Sequence, residues 1–169
     1  QDDAQILFID TPGIHKPKHK LGEYMVKAAE NTLKEVDVIL FVVDATENIG
    51  AGELYIMERL QSTQAPVILV VNKVDQINKQ QVLPVISRYS DKLNFVGAIP
   101  ISAKEKTNLD QLVEEIKKYL EEGPQYYPSD MITDQPERLV IGELIREKAL
   151  HLTKEEIPHA IAVDIEEIS

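Results

Sequence analysis

Four short apolar runs, each ending in a polar residue and each parted from the next by a stretch of helical spacing, limit what this chain can fold into. The runs are residues 5–10 (QILFID), 36–44 (VDVILFVVD), 65–72 (APVILVVN) and 95–102 (FVGAIPIS). They are rich in Val and Ile and lack strict alternation, as parallel strands covered on both faces do. Residues 21–35, 51–64, 79–93 and 109–121 carry apolar positions at roughly 3.6-residue spacing and predict helices. In the last, Leu109, Leu112, Val113, Ile116 and Leu120 make one stripe, with Asn108 placed as N-cap. Strand alternating with helix predicts an α/β fold, a doubly wound and mostly parallel sheet with right-handed crossovers. Ligands of such sheets bind outside the carboxyl ends of the strands. Those ends carry Asp10, Asp44, Asn72 and Ser102.

After this unit the periodicity stops. Residues 123–136 (GPQYYPSDMITDQP) read as a linker, because proline and glycine interrupt any regular element. Residues 137–152 then resume helical spacing, and residues 159–168 alternate as a half-buried strand with Ile161, Val163 and Ile165 on one face. One helix and one strand do not make a stable domain alone, so this unit is expected to be cut short. The start at Gln1, a few residues before an apolar run, carries the same expectation for an upstream part.

The net charge of −11 argues against general electrostatic attachment to nucleic acid or an anionic membrane. No cysteine is present, which excludes disulfides and thiolate metal sites and fits a reducing compartment. The longest apolar stretch, residues 36–43, falls well short of the roughly 20 residues a membrane span needs. No signal peptide opens the chain.

Three motifs sit at the strand ends. Asp10-Thr11-Pro12-Gly13 follows the first run. A carboxylate there can hold Mg²⁺ through water, since this ion keeps several of its waters. The glycine three residues on lets a backbone N–H approach a terminal phosphate. Together they could sense the γ-phosphate and move when it leaves. Asn72-Lys73-Val74-Asp75 ends the third run. One carboxylate can accept from both N1–H and the exocyclic amino group of guanine, which makes Asp75 the selector of guanine over adenine. Asn72 can bond the base and tie neighbouring loops, and the Lys73 stem can lie along the ring face. Ser102-Ala103-Lys104 ends the fourth run; a small residue there lets a backbone N–H reach O6, and the serine can brace Asp75. Each motif alone is weak, but their order and placement at buried strand ends make the joint signal strong.

These residues resemble the third, fourth and fifth nucleotide motifs of the translation-factor-like GTPases. DTPGIHKPKHKLGEYM, DVILFVVDA, ISAKEKTNLDQL and the junction PERLVIGELIREKALHLTKEEIPHAIAVDIEE narrow the resemblance to the Era family, over essentially the whole chain. The resemblance implies a sheet of the P-loop GTPase type over residues 1–122, a linker over 123–136, and the start of an α+β KH-type RNA-binding domain over 137–169. It implies a GTP-hydrolysing switch that takes GTP or GDP with Mg²⁺ held at Asp10. Nucleotide contacts would come from Asp10, Thr11, Pro12, Gly13 and Ile14, then Asn72, Lys73, Val74 and Asp75, then Ser102, Ala103 and Lys104. Its partners would be small-subunit ribosomal RNA and the assembling subunit. A cytoplasmic monomer, peripherally associated with the inner face of the cell membrane, is the further implication.

The sequence departs from the family in two places. It contains neither the phosphate loop G-x-x-x-x-G-K-[ST], which cradles the phosphates, nor the KH signature G-x-x-G. At the reacting centre, Gly13 and Ile14 stand where many GTPases have glycine and a water-orienting glutamine; an aliphatic side chain cannot hydrogen-bond water. His15 is a weak candidate base, because the run HKPKHK reads as a switch loop. His151 and His159 read as structural, and Tyr126 and Tyr127 as anchors of the linker. After Pro136 acids outnumber bases, so charge alone does not mark the tail as RNA-binding. Two other readings stay open: an RNA-binding or scaffold protein with a vestigial nucleotide site, and a GTPase like Der or MnmE.

Overall fold

The structure is a computed structural model and describes residues 4–10, 33, 35–128, 131, 133, 135–152 and 161–165. Three strands form a parallel sheet in the order β1 (Ile39–Asp44), β2 (Val67–Asn72), β3 (Gly97–Pro100). Helix α1 (Ala51–Leu60) connects β1 to β2, and α2 (Lys79–Ser90) connects β2 to β3. Helix α3 (Leu109–Lys117) follows β3. Strands and helices thus alternate as the spacing predicts.

Strand β2 is central, and its Ile68, Leu69, Val70 and Val71 are all buried to within 1% of complete burial. Successive side chains point to opposite faces of a strand, so β2 feeds two cores. Val67, Leu69 and Val71 join Phe41, Met57, Leu60, Val85 and Tyr89 in the larger one. Ile68 and Val70 join Ile101 and Ile116 in the smaller one, against which Leu109 and Leu112 of the α3 stripe pack. In the larger core the Phe41 ring meets Tyr89 edge-on and stacks on Phe95, both at 6.1 Å between centroids.

Each helix begins and ends for a local reason. At the start of α1 the Gly50 N–H donates to Glu53 Oε2 (3.0 Å), and at the start of α2 the Asn78 N–H donates to Gln81 Oε1 (3.0 Å); both satisfy an otherwise orphaned amide. Helix α1 stops short of the expected residue 64, because the chain must turn before Pro66, which disfavours helical backbone at the residue preceding it. Helix α2 stops at Ser90, capped by Asp91, and not at residue 93. Pro84 lies inside α2 and removes one backbone bond. Burial of Val85 and Tyr89 on the following turn holds the helix there.

Three expectations need correction. Residues 5–10 form no strand; Leu7, Phe8 and Ile9 are exposed, and Ile6 alone packs, against the smaller core. An apolar run becomes a strand only where a neighbour completes a ladder of backbone hydrogen bonds, and the described sheet has no ladder to residues 5–10. Asn108 sits at the N-cap position of α3, but its side chain does not cap. Its backbone is left-handed (φ 58°) and its Nδ2 donates instead to the Pro100 carbonyl (2.7 Å), tying the loop back to β3. Helix α3 also ends at Lys117, before residue 121. The expected helix over 21–35 lies outside the described residues, apart from Leu33 and Glu35.

The chain divides into two compact units, Gln1–Gly123 and Pro124–Ser169. The second holds α4 (Glu137–Leu152). Of the strand expected over 159–168 only 161–165 are described, and these are not a strand. Ile161, Val163 and Ile165 are half-buried and alternate with exposed residues, as the spacing predicts, but they have no sheet partner among the described residues. They lie instead along α4: Arg146 Nε donates to the Ile161 carbonyl (2.9 Å), and a side chain at Gly142 would meet the Val163 carbonyl at 3.5 Å. No helix among the described residues is long and apolar enough to cross a membrane.

Candidate functional site

Parallel register brings the ends of β1 and β2 level, with Asp44 opposite Asn72. The Ala45 N–H donates to the Asn72 carbonyl (2.9 Å), and the Ile101 N–H to the Val71 carbonyl (2.8 Å). Three loops therefore leave the same rim of the sheet.

Asn72 links two of them. Its Oδ1 accepts the Lys73 N–H (2.8 Å) and the Ala103 N–H (3.0 Å). With Oδ1 doubly engaged, Nδ2, which bonds none of the described residues, is the group that can donate to a ligand. The Val74 N–H donates to the Ile101 carbonyl (3.2 Å), so the second and third loops are joined twice. Val74, Asp75 and Gln76 form a single 3₁₀ turn, on which Val74 packs inward against the larger core. Asp75 is exposed and has no hydrogen bond or ion pair to any described residue. A carboxylate with no partner among the described residues, on a braced turn, is suited to a ligand edge with two adjacent donors.

Ser102 is buried, and its Oγ accepts the Glu105 N–H (3.1 Å). It braces its own loop, together with the Ser102–Thr107 bridge; no bond to Asp75 is present, contrary to the expected brace. The Ala103 N–H is held by Asn72, so Ala103 and Lys104 lie beside the Asn72 loop with Lys104 exposed.

Lys73 has a left-handed backbone (φ 63°, ψ 32°), uncommon outside glycine and asparagine. Its Nζ lies 2.5 Å from Asp44 Oδ2. Asp44 Oδ1 accepts both the N–H (2.8 Å) and the hydroxyl (2.7 Å) of Thr46. Sequence reasoning marked Asp44 only as a polar strand end. The remaining loop is held from α2, where Arg88 Nη1 donates to Asn48 Oδ1 (2.7 Å).

The Lys73 ammonium, then the Thr46 hydroxyl and amide, hold the Asp44 carboxyl at about 2 against the usual 3.8, and the same pairing raises Lys73. A depressed carboxylate contributes stability that is complete above the unfolded value and is lost as pH falls through the folded one. The stability difference between the parent protein and Asp44→Asn, followed by circular dichroism, should therefore be constant above about pH 5 and shrink as pH falls through 3.8 towards about 2. A difference that persisted unchanged to pH 2 would contradict this pairing.

Asp10 is exposed at the end of the irregular segment 4–10, with no bond to the other candidates among the described residues. Thr11, Pro12, Gly13 and Ile14 lie outside the described residues, as do His15 and His159. The structure thus brings Asn72, Lys73, Val74, Asp75, Ser102 and Ala103 together, with Lys104 adjoining. Among the described residues no group of three or more His, Asp or Glu side chains could cage a metal. Asp10 fits Mg²⁺ only as one carboxylate beside waters and phosphate oxygens, which is the usual way that ion is bound.

The profile of the elongation factor Tu GTP-binding domain matches residues 1–122. Among solved structures, the chain is 47% identical to Aquifex aeolicus Era bound to GDP and aluminium fluoride, with TM-score 0.80 over 94% of this chain and 55% of that one. It is also 47% identical to Era in complex with MgGDPNP and nucleotides 1506–1542 of 16S ribosomal RNA, with TM-score 0.81 over 94% of this chain and 54% of that one. Elongation factor SelB of Methanococcus maripaludis, at 22% identity and TM-score 0.56 over 73% of this chain and 26% of its own, shares the fold. The chain spans about half the length of the Era structures it matches. With a parallel sheet whose strand ends hold an asparagine hub and an exposed aspartate that has no partner among the described residues, and with these matches, the chain belongs to the elongation factor Tu GTP-binding domain family and, within it, to the Era family.

Proposed function

We propose that this protein, at the length of its Era relatives, is a GTP-hydrolysing switch that binds ribosomal RNA and assists small-subunit assembly. The observation that carries the reading is the Asn72 hub with Asp75 exposed beside it. Asp75 would accept from N1–H and the amino group of guanine. Asn72 Nδ2 would donate to the base, the Lys73 stem would cover one ring face, and Ala103 with Lys104 would bound the O6 side. Asp10 would face Mg²⁺ through water, and the Gly13 amide the terminal phosphate. Mg²⁺, when bound, neutralises charge on the phosphate oxygens. Ile14 cannot orient the attacking water, so groups other than its side chain must do so, and turnover should be slow.

In the same reading residues 1–122 are the GTPase domain, 123–136 a linker and 137–169 the start of a KH domain. The protein is a cytoplasmic monomer with peripheral contact to the inner membrane face. Support for the RNA role comes from the Era structure carrying an rRNA segment.

Isothermal titration of the full-length protein with GDP, GTP and ATP, each with Mg²⁺, tests the reading. Guanine nucleotides should bind in the micromolar range or tighter, and ATP roughly 100-fold or more weakly, because a site built for hydrogen bonds rejects a ligand that leaves them unpaired. GDP binding absent from the full-length protein would favour the scaffold with a vestigial site.

A further inference from the structure

We propose that Asp44, at the end of β1, serves the base-reading loop as a positioning residue that holds the Lys73 ammonium so that the lysine stem forms one wall of the guanine slot. This rests on the reading of Asn72–Asp75 as the base site.

The argument begins with register. Asp44 is the ladder neighbour of Asn72, so its carboxylate belongs to the same rim as the hub. Its conformation does not depend on Lys73: Oδ1 is fixed by two bonds from Thr46, and Oδ2 remains for the ammonium. The anchor is therefore built into β1 and the turn that follows it. The left-handed backbone at Lys73 and the bond to Asp44 then leave the stem little freedom. A half-exposed lysine would otherwise have to surrender rotamer freedom on binding, and fixing it beforehand improves affinity. A partly exposed ion pair contributes little to stability by itself, so its effect should appear in ligand binding more than in folding.

The test is a double-mutant cycle in the full-length protein: Asp44→Asn, Lys73→Met and the pair, with GDP affinity from titration and the release rate of a fluorescent GDP analogue. The amide introduced by Asp44→Asn would keep an acceptor for Thr46 and remove the charge. We expect Asp44→Asn to weaken GDP roughly 5- to 10-fold, chiefly through faster release, and the double variant to be no weaker than Lys73→Met, since residues in one network do not act additively. Thr46→Ala, which frees the carboxylate without removing it, should give a smaller loss in the same sense. It keeps the idea testable if Asp44→Asn fails to fold. Unchanged affinity in these variants, or losses that multiply independently, would overturn the proposal. Asp75→Asn serves as the control. If it abolishes guanine preference while Asp44→Asn does nothing, only the role of Asp44 falls; if it too leaves GDP binding intact, the base site itself has been misplaced.

Discussion

Asp75→Asn in the full-length protein should lower GDP affinity by roughly 100-fold or more, because two hydrogen bonds to a charged acceptor are worth about 1.5–3 kcal/mol each and an amide replaces them poorly. The neutral amide presents one acceptor and two donors in place of an acceptor-only carboxylate. Xanthine carries a 2-oxo group where guanine carries an amino group, so xanthosine diphosphate should become the preferred ligand. The effect should be confined to binding. Asp75 is exposed and bonds no described residue, and surface changes of this kind alter stability by only about 0.5 kcal/mol. Competition titration with the two diphosphates, beside a thermal melt, reads both quantities. GDP affinity equal to the parent's would show that Asp75 does not read the base.

The largest effect on folding should come from Leu69→Ala. Leu69 is fully buried at the middle of the central strand, within the larger core that Phe41, Met57 and Tyr89 also fill. Truncating such a leucine removes its transfer energy and leaves a cavity, together about 3 kcal/mol within a range of roughly 2–5. Urea denaturation should show the midpoint falling at an unchanged slope. A loss below about 1 kcal/mol would mean that the core is not built around β2. Because Asn72 closes the same strand, the variant should also release GDP faster as the rim fluctuates.

How much of this could be read from residues alone follows from what each residue answers to. The three sheet strands were legible because burial on both faces selects Val and Ile without alternation, a pattern with few other causes. Residues 5–10 show the same composition, yet composition reports only a tendency toward burial; pairing depends on which neighbour is present. The alternation at Ile161, Val163 and Ile165 likewise marks a half-buried face, but these residues meet α4 at Gly142 and Arg146 and do not form the expected strand. Helix α4 was legible to its ends. Asn72, Asp75 and Ala103 could be read as one candidate group because the motif order supplied them. The mutual bonds were not, since whether Ser102 braces Glu105 or Asp75 is a matter of a few ångströms in a loop. Asp44 was seen but given no role, because the ion pair with Lys73 joins residues 29 positions apart and depends on a left-handed lysine that no local pattern announces.

Odd-numbered residues of β2 fill one core and even-numbered residues the other. Adding or removing a single residue between Val67 and Asn72 would invert that assignment for every side chain beyond the change. It would also shift the asparagine against both neighbouring strands. Tolerance to length change must then be unevenly distributed. Across relatives of this chain, insertions and deletions should gather in the turns at the pole of the sheet opposite Asn72, such as the one after α1, while the reach from β2 to Asp75 keeps a constant count.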